Sequence, residues 1–178
     1  MPDEKEYFDS NSPAQSNKHW IPWVQRQLIL KKILAQAVEM PEPYKPNYKK
    51  WCEVFEQFKL DQNTTLIGHS CGGGFLVRWL SENKNKKVGK VILVAPWIDP
   101  DRTMKSSFFN FNIDPALIKR TKGVTVFISN DKYKDVLETV GILKTAISGI
   151  KVIELKNKGH FTMSGMKTEK FPELLKAL

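Results

Sequence analysis

The stretch Val88–Ala95 closes with an unbroken apolar run, Val91-Ile92-Leu93-Val94-Ala95. A strand with apolar side chains at consecutive positions buries both faces, the condition inside a parallel sheet covered by helices. The run continues through Pro96-Trp97-Ile98 but stays far below the ~20 residues of a membrane-spanning helix. A chain with such a strand must supply helices for both sides of it, so helical segments should alternate with strands along the sequence.

They do. Pro22 opens a predicted helix over Trp23 to about Ile33, with Trp23, Val24, Leu28 and Ile29 on its apolar face. A second is predicted from Tyr48 to about Phe58, with Trp51, Val54, Phe55 and Phe58 spaced for one face. Thr64–Ile67 reads as a short strand, and a helix with Phe75, Leu76, Trp79 and Leu80 begins near Gly72. Val124–Ile128 and Lys151–Leu155 are predicted strands around a helix over Val136–Ile147, and Glu169–Leu178 is a closing helix. Ala35–Met40 alternates before Pro41 and predicts one more short strand. The expected fold is α/β, a three-layer αβα sandwich on a mostly parallel sheet. The length of 178 residues suits a single domain over 1–178. Segment 96–123 interrupts the rhythm. It is long and rich in aromatics (Trp97, Phe108, Phe109, Phe111), as expected of a lid or pocket loop.

Composition excludes several classes. Two cysteines, Cys52 and Cys71, make no disulfide framework and point to a reducing compartment. The charged start Met1-Pro2-Asp3-Glu4-Lys5-Glu6 is not a secretory signal, so a cytoplasmic, non-membrane location is expected. The net charge of +9 raises nucleic acid as a partner. However, only Arg26, Arg78, Arg102 and Arg120 supply the bidentate chemistry that reads phosphates and bases, and the lysines are scattered. A solvated basic surface is the better reading.

The chemical signal is Gly68-His69-Ser70-Cys71-Gly72, a G-x-S-x-G between a predicted strand and a predicted helix. In that context the turn is sharp and lifts the serine hydroxyl from the strand end, and the next backbone N–H, of Cys71, faces the developing oxyanion. A phosphate loop would need Gly-Lys-Ser/Thr, which is absent, and no cofactor or metal is expected. A serine hydroxyl needs a base. Of the three histidines, His160 follows the last predicted strand, giving the chain order serine, acid, histidine. His69 lies beside the serine, where a packing or hydrogen-bonding role is expected, and His19 lies in the irregular N-terminal region. Asp131, just after Val124–Ile128, is the first choice of acid, and Asp99, after the apolar strand, is the second. Trp97, Phe108, Phe109 and Phe161 are expected to line an acyl pocket. Cys71 is too close behind the serine to be a separate nucleophile, but an exposed thiol there would be open to alkylation.

These residues resemble the small α/β-hydrolase family of serine hydrolases that includes retinoblastoma-binding protein nine and the YdeN-type hydrolases. Asn17-Lys18-His19-Trp20-Ile21-Pro22-Trp23 resembles its N-H-W-x-P-W segment, and Gly68–Gly73 its elbow. Ser129-Asn130-Asp131 resembles its acid turn, and Gly159-His160-Phe161 its G-H-F histidine. The resemblance covers nearly the whole chain. It implies a Ser70–His160–Asp131 triad acting through an acyl-enzyme on an ester or related acyl compound. A non-catalytic, protein-binding member of the same fold is the alternative. The chain departs from the family in one respect. Family members begin with a buried strand ending in His-Gly, and the loop after it gives a second oxyanion donor. The present sequence starts about where that strand ends, so a sheet without the family's first strand is expected.

Overall fold

A computed structural model describes residues 2–131 and 133–178. A short helix α1 (Glu4–Tyr7) is capped by the Asp3 carboxylate, and α2 (Ile21–Leu30) carries Pro22 in its first turn. Helix α3 (Tyr48–Phe55) is capped by Asn47, whose side chain accepts the Lys50 N–H. Strand β1 (Leu66–His69) runs into α4 (Cys71–Glu82), followed by β2 (Val91–Val94) and β3 (Val124–Ser129). Helix α5 (Lys134–Ala146), β4 (Lys151–Leu155), α6 (Met163–Met166) and α7 (Pro172–Ala177) complete the chain.

Among the described residues the sheet has four strands in the order β1-β2-β3-β4, all parallel. The register sets Leu66 beside Val91, Val91 beside Val124, and Thr125 beside Lys151. Strand β2 is buried at every position, as its unbroken apolar run requires. Two aromatic clusters account for much of the packing. In one, Trp51 and Phe55 of α3 meet Phe75 and Trp79 of α4 edge to face. In the other, Phe171 at the start of α7 packs on Phe127 of β3, on Phe161 and on Trp20.

Two expectations are corrected. Ala35–Met40 forms no strand, because no sheet neighbour is available to its backbone. Its polar contacts run through side chains instead: Gln25 donates to the Ala35 carbonyl, and Glu39 accepts the Ser16 N–H. Helix α2 ends at Leu30, short of Ile33, where Lys32 turns into the left-handed region at φ 62°.

Segment 96–123 is packed down at several points. Arg78 of α4 donates to the carbonyls of Ser107 and Phe108 and stacks its guanidinium 3.6 Å above the Tyr48 ring. Arg120 donates to the carbonyls of Leu80, Asn83 and Lys86, capping the end of α4, and pairs with Asp114 at 2.6 Å. No helix among the described residues is long and apolar enough to cross a membrane.

Candidate active site

The end of β1 and the start of α4 meet at Ser70, whose backbone sits at φ 52° and ψ −120°. A non-glycine residue held there costs about 1–3 kcal/mol, so its surroundings must over-determine it. They do. The Ser70 N–H donates to the Val94 carbonyl, extending the β1–β2 ladder by one bond. The Ser70 carbonyl accepts from the N–H groups of Gly73, Gly74 and Trp97. The two glycines of the motif are not equivalent. A Cβ on Gly68 would lie 2.6 Å from the Gly72 carbonyl oxygen, whereas one on Gly72 would meet nothing within 4 Å. Gly74 is also obligatory, since its Cβ would lie 2.1 Å from the Trp97 carbonyl oxygen. The Cys71 N–H opens α4 and is engaged by no acceptor among the described residues. Its thiol is buried, and that burial pushes its pKa up to about 12. The exposure that would have opened this thiol to alkylation is therefore not met.

Loop 157–161 brings His160 to the elbow, with Nε2 2.9 Å from Ser70 Oγ. For that nitrogen to accept the hydroxyl proton, the neutral ring must carry its own proton on Nδ1. Burial pushes the His160 pKa down to about 4, with His19 acting in the same direction. The loop is held through its main chain. Asn130 Oδ1 accepts the Asn157 N–H at 2.8 Å, and Ser129 Oγ the Lys158 N–H at 2.9 Å. Asp131 Oδ2 accepts the Gly159 N–H at 2.5 Å, and His69 Nε2 meets the His160 carbonyl at 2.7 Å.

Asp131 and His160 line one small depression with Ser129, Tyr133 and Leu137, but no hydrogen bond joins them. Asp131 Oδ2 takes Ser129 Oγ–H as well as the Gly159 N–H, and these bonds hold its pKa below the usual carboxylate range. The buried Nδ1 of His160 has no partner among the described residues. Asp99 is committed elsewhere. One of its oxygens takes the Thr103 N–H and hydroxyl and the other the Met104 N–H, closing the turn after β2.

The expected pocket aromatics divide. Phe108 lies in the core against Trp51, and Phe161 is fully buried on Phe171, so neither wall is open to a ligand. Trp97 and Phe109 are half-buried and meet edge to face at 5.4 Å, next to the elbow through the Trp97 N–H. Tyr133 and Leu137 were not singled out by the sequence. Both are exposed, and Tyr133 lies 5.5 Å from the His160 ring. Tyr133, two positions after Asp131 and just ahead of α5, carries no motif that would have marked it.

Residues 11–178 match the sequence profile of a family described as serine hydrolase. The chain is 28% identical over 156 residues to YdeN of Bacillus subtilis (strain 168), covering 83% of this chain and 80% of that protein. The crystal structure of the ydeN gene product superimposes with a TM-score of 0.80 at 24% identity, covering 91% of this chain and 89% of that one. A solved N-acyl homoserine lactone degrading enzyme gives 0.53 at 13% identity over 74% of this chain and 73% of its own. At such identities the solved structures speak for a shared α/β-hydrolase-like fold.

Proposed function

The chain belongs to the serine hydrolase family, and from that premise we propose that it cleaves an ester or related acyl compound through Ser70, His160 and Asp131. The observation that carries the reading is the 2.9 Å contact between Ser70 Oγ and His160 Nε2 at a strained strand-to-helix turn.

In this mechanism Ser70 Oγ attacks the acyl carbonyl carbon while His160 Nε2 takes its proton. The carbonyl π electrons move onto oxygen, and the Cys71 N–H donates to that oxyanion. Collapse expels the alkoxide, which leaves as the alcohol with the proton from His160. Water then attacks the acyl-enzyme, His160 taking and returning the second proton, and the carboxylic acid departs. Asp131 is assigned the role of orienting and stabilising the imidazolium. Its place beside His160 supports it, as does the commitment of both Asp99 oxygens elsewhere. Trp97 and Phe109 are assigned to the acyl side of the pocket, and Tyr133 and Leu137 to the side beyond His160. Small acyl compounds are the proposed substrates.

A binding role without turnover is the second reading. The Nδ1 of His160, without a partner among the described residues, favours it, because a triad base is normally held there by its acid. Hydrolysis of short p-nitrophenyl esters decides between them. Turnover by the wild type that is abolished in Ser70→Ala is expected. No turnover above that variant, by a chain with native circular dichroism, would leave the binding role.

A further inference from the structure

His69 was expected to take a packing or hydrogen-bonding role, and its contacts define that role. It stands one residue before the nucleophile, at the last position of β1. Its ring touches three partners. Trp20 and His19 approach edge-on, each with ring centroids 5.8 Å away, and the His160 ring lies 5.3 Å away. Its Nε2 lies 2.7 Å from the main-chain carbonyl oxygen of His160. A carbonyl can only accept, so that nitrogen must carry the proton. Burial keeps the ring neutral, its pKa pushed down to about 3, with the neighbouring His160 acting in the same direction.

These contacts close a small ring. Ser70 is bonded to His69, His69 holds the His160 carbonyl, and the His160 side chain returns to Ser70 Oγ. The separation of nucleophile and base is therefore set across one hydrogen bond that starts on a rigid strand. The other three clamps on loop 157–160 come from Ser129, Asn130 and Asp131 at the end of β3. Among the described residues, the His69 bond is the one that ties the loop's main chain to β1, the strand leading into Ser70. The clamp matters more because the imidazole has no bond at Nδ1 among the described residues.

We propose that His69 is a positioning residue, a neutral Nε2–H donor to the His160 carbonyl that sets the distance between His160 and Ser70. This rests on the reading of Ser70 and His160 as nucleophile and base. A conjugate cation at His69 would repel the imidazolium that forms on His160, so the donor must be an uncharged one. Glutamine suits the role, since its amide nitrogen reaches about as far as imidazole Nε2 and donates without charge.

The test has two arms on the full chain. The first is the pH titration of the histidine ring nitrogens of the wild type by NMR. The expected spectrum has His69 as the Nε2–H tautomer and non-titrating from pH 4.5 to 8. A ring that titrates near 6.5, or that carries its proton on Nδ1, overturns the proposal whatever the activity. The second arm is the rate of fluorophosphonate labelling and of p-nitrophenyl acetate turnover in His69→Phe and His69→Gln. The phenyl ring keeps the packing and loses the donor, so kcat should fall about 10- to 100-fold with KM within about twofold. The amide should restore the rate to within about threefold of wild type. Equal rates in all three proteins overturn the proposal, as does a loss in His69→Gln as deep as in His69→Phe. Should His69→Phe not fold, His69→Gln and the titration decide alone. A wild type that the probe labels no faster than Ser70→Ala would instead refute the catalytic reading, and the titration would still report the clamp.

Discussion

The two glycines of Gly68-His69-Ser70-Cys71-Gly72 make unequal demands, and alanine at each gives opposite predictions. A Cβ on Gly68 would sit 2.6 Å from the Gly72 oxygen and 2.7 Å from Gly72 C and Gly73 N, where ordinary contact begins at 3.4 Å. All three atoms are backbone, in the first turn of a helix whose N–H groups bind the Ser70 carbonyl. They cannot swing away as a side chain could. The turn must open, at a cost in the overpacking range of about 1–3 kcal/mol. For a chain of this length that lowers the melting temperature by roughly 2–10 °C. The same shift pulls Ser70 Oγ from His160 Nε2, so turnover should fall at least ~100-fold. Alanine at Gly72 meets nothing and lies within α4, where it improves helix propensity by up to about 1 kcal/mol. Gly72→Ala should melt at or a few degrees above the wild type. Differential scanning calorimetry of both variants, with p-nitrophenyl acetate turnover, measures this. Equal losses from both, or a stable and active Gly68→Ala, would refute the steric reasoning.

Acid should unfold the protein through its histidines. His69 and His160 stay neutral in the folded chain, with pKa values near 3 and 4, but charge below about 6.5 when unfolded. Their contribution is full above 6.5 and is lost as pH falls toward 4, at up to about 1.4 kcal/mol per pH unit for each group. The urea midpoint should drop steeply between pH 6.5 and 4.5, and less steeply in His160→Gln; a flat profile would contradict this. Asp99→Asn should lower stability by about 1–2 kcal/mol through its turn but leave kcat within about twofold. Asp131→Asn should lower kcat at least ~100-fold, and the reverse ranking in the ester assay would make Asp99 the acid. Cys71 should resist iodoacetamide in the native state and react only on denaturation, as peptide mapping would show; labelling at the rate of a free thiol would contradict its burial.

Much of the fold was legible because its signals are local. The apolar run of β2 and the strand–glycine–serine–helix order at Ser70 are patterns of consecutive residues. Where sequence reading failed, the deciding partner was distant. Ala35–Met40 alternates like a strand, but alternation cannot supply a neighbour to pair with. Phe108 and Phe161 are as aromatic as any pocket lining, and only packing against Trp51 and Phe171 makes them core. The histidine loop is clamped through the N–H groups of residues 157–159 and the carbonyl of His160, and main-chain partners leave no mark in side-chain identity. The sequence brought Asp131 and His160 to the same place, but it could not reveal that the carboxylate binds the Gly159 N–H instead of the ring.

The central claim is that Ser70 is a nucleophile activated by His160. Its most direct test is intact-mass and peptide mass spectrometry after treatment with a fluorophosphonate. A single adduct on the peptide carrying Ser70 is expected in the wild type, with none in Ser70→Ala and at least ~100-fold slower labelling in His160→Ala. Labelling of wild type and Ser70→Ala to the same extent, or a rate indifferent to His160, would contradict it.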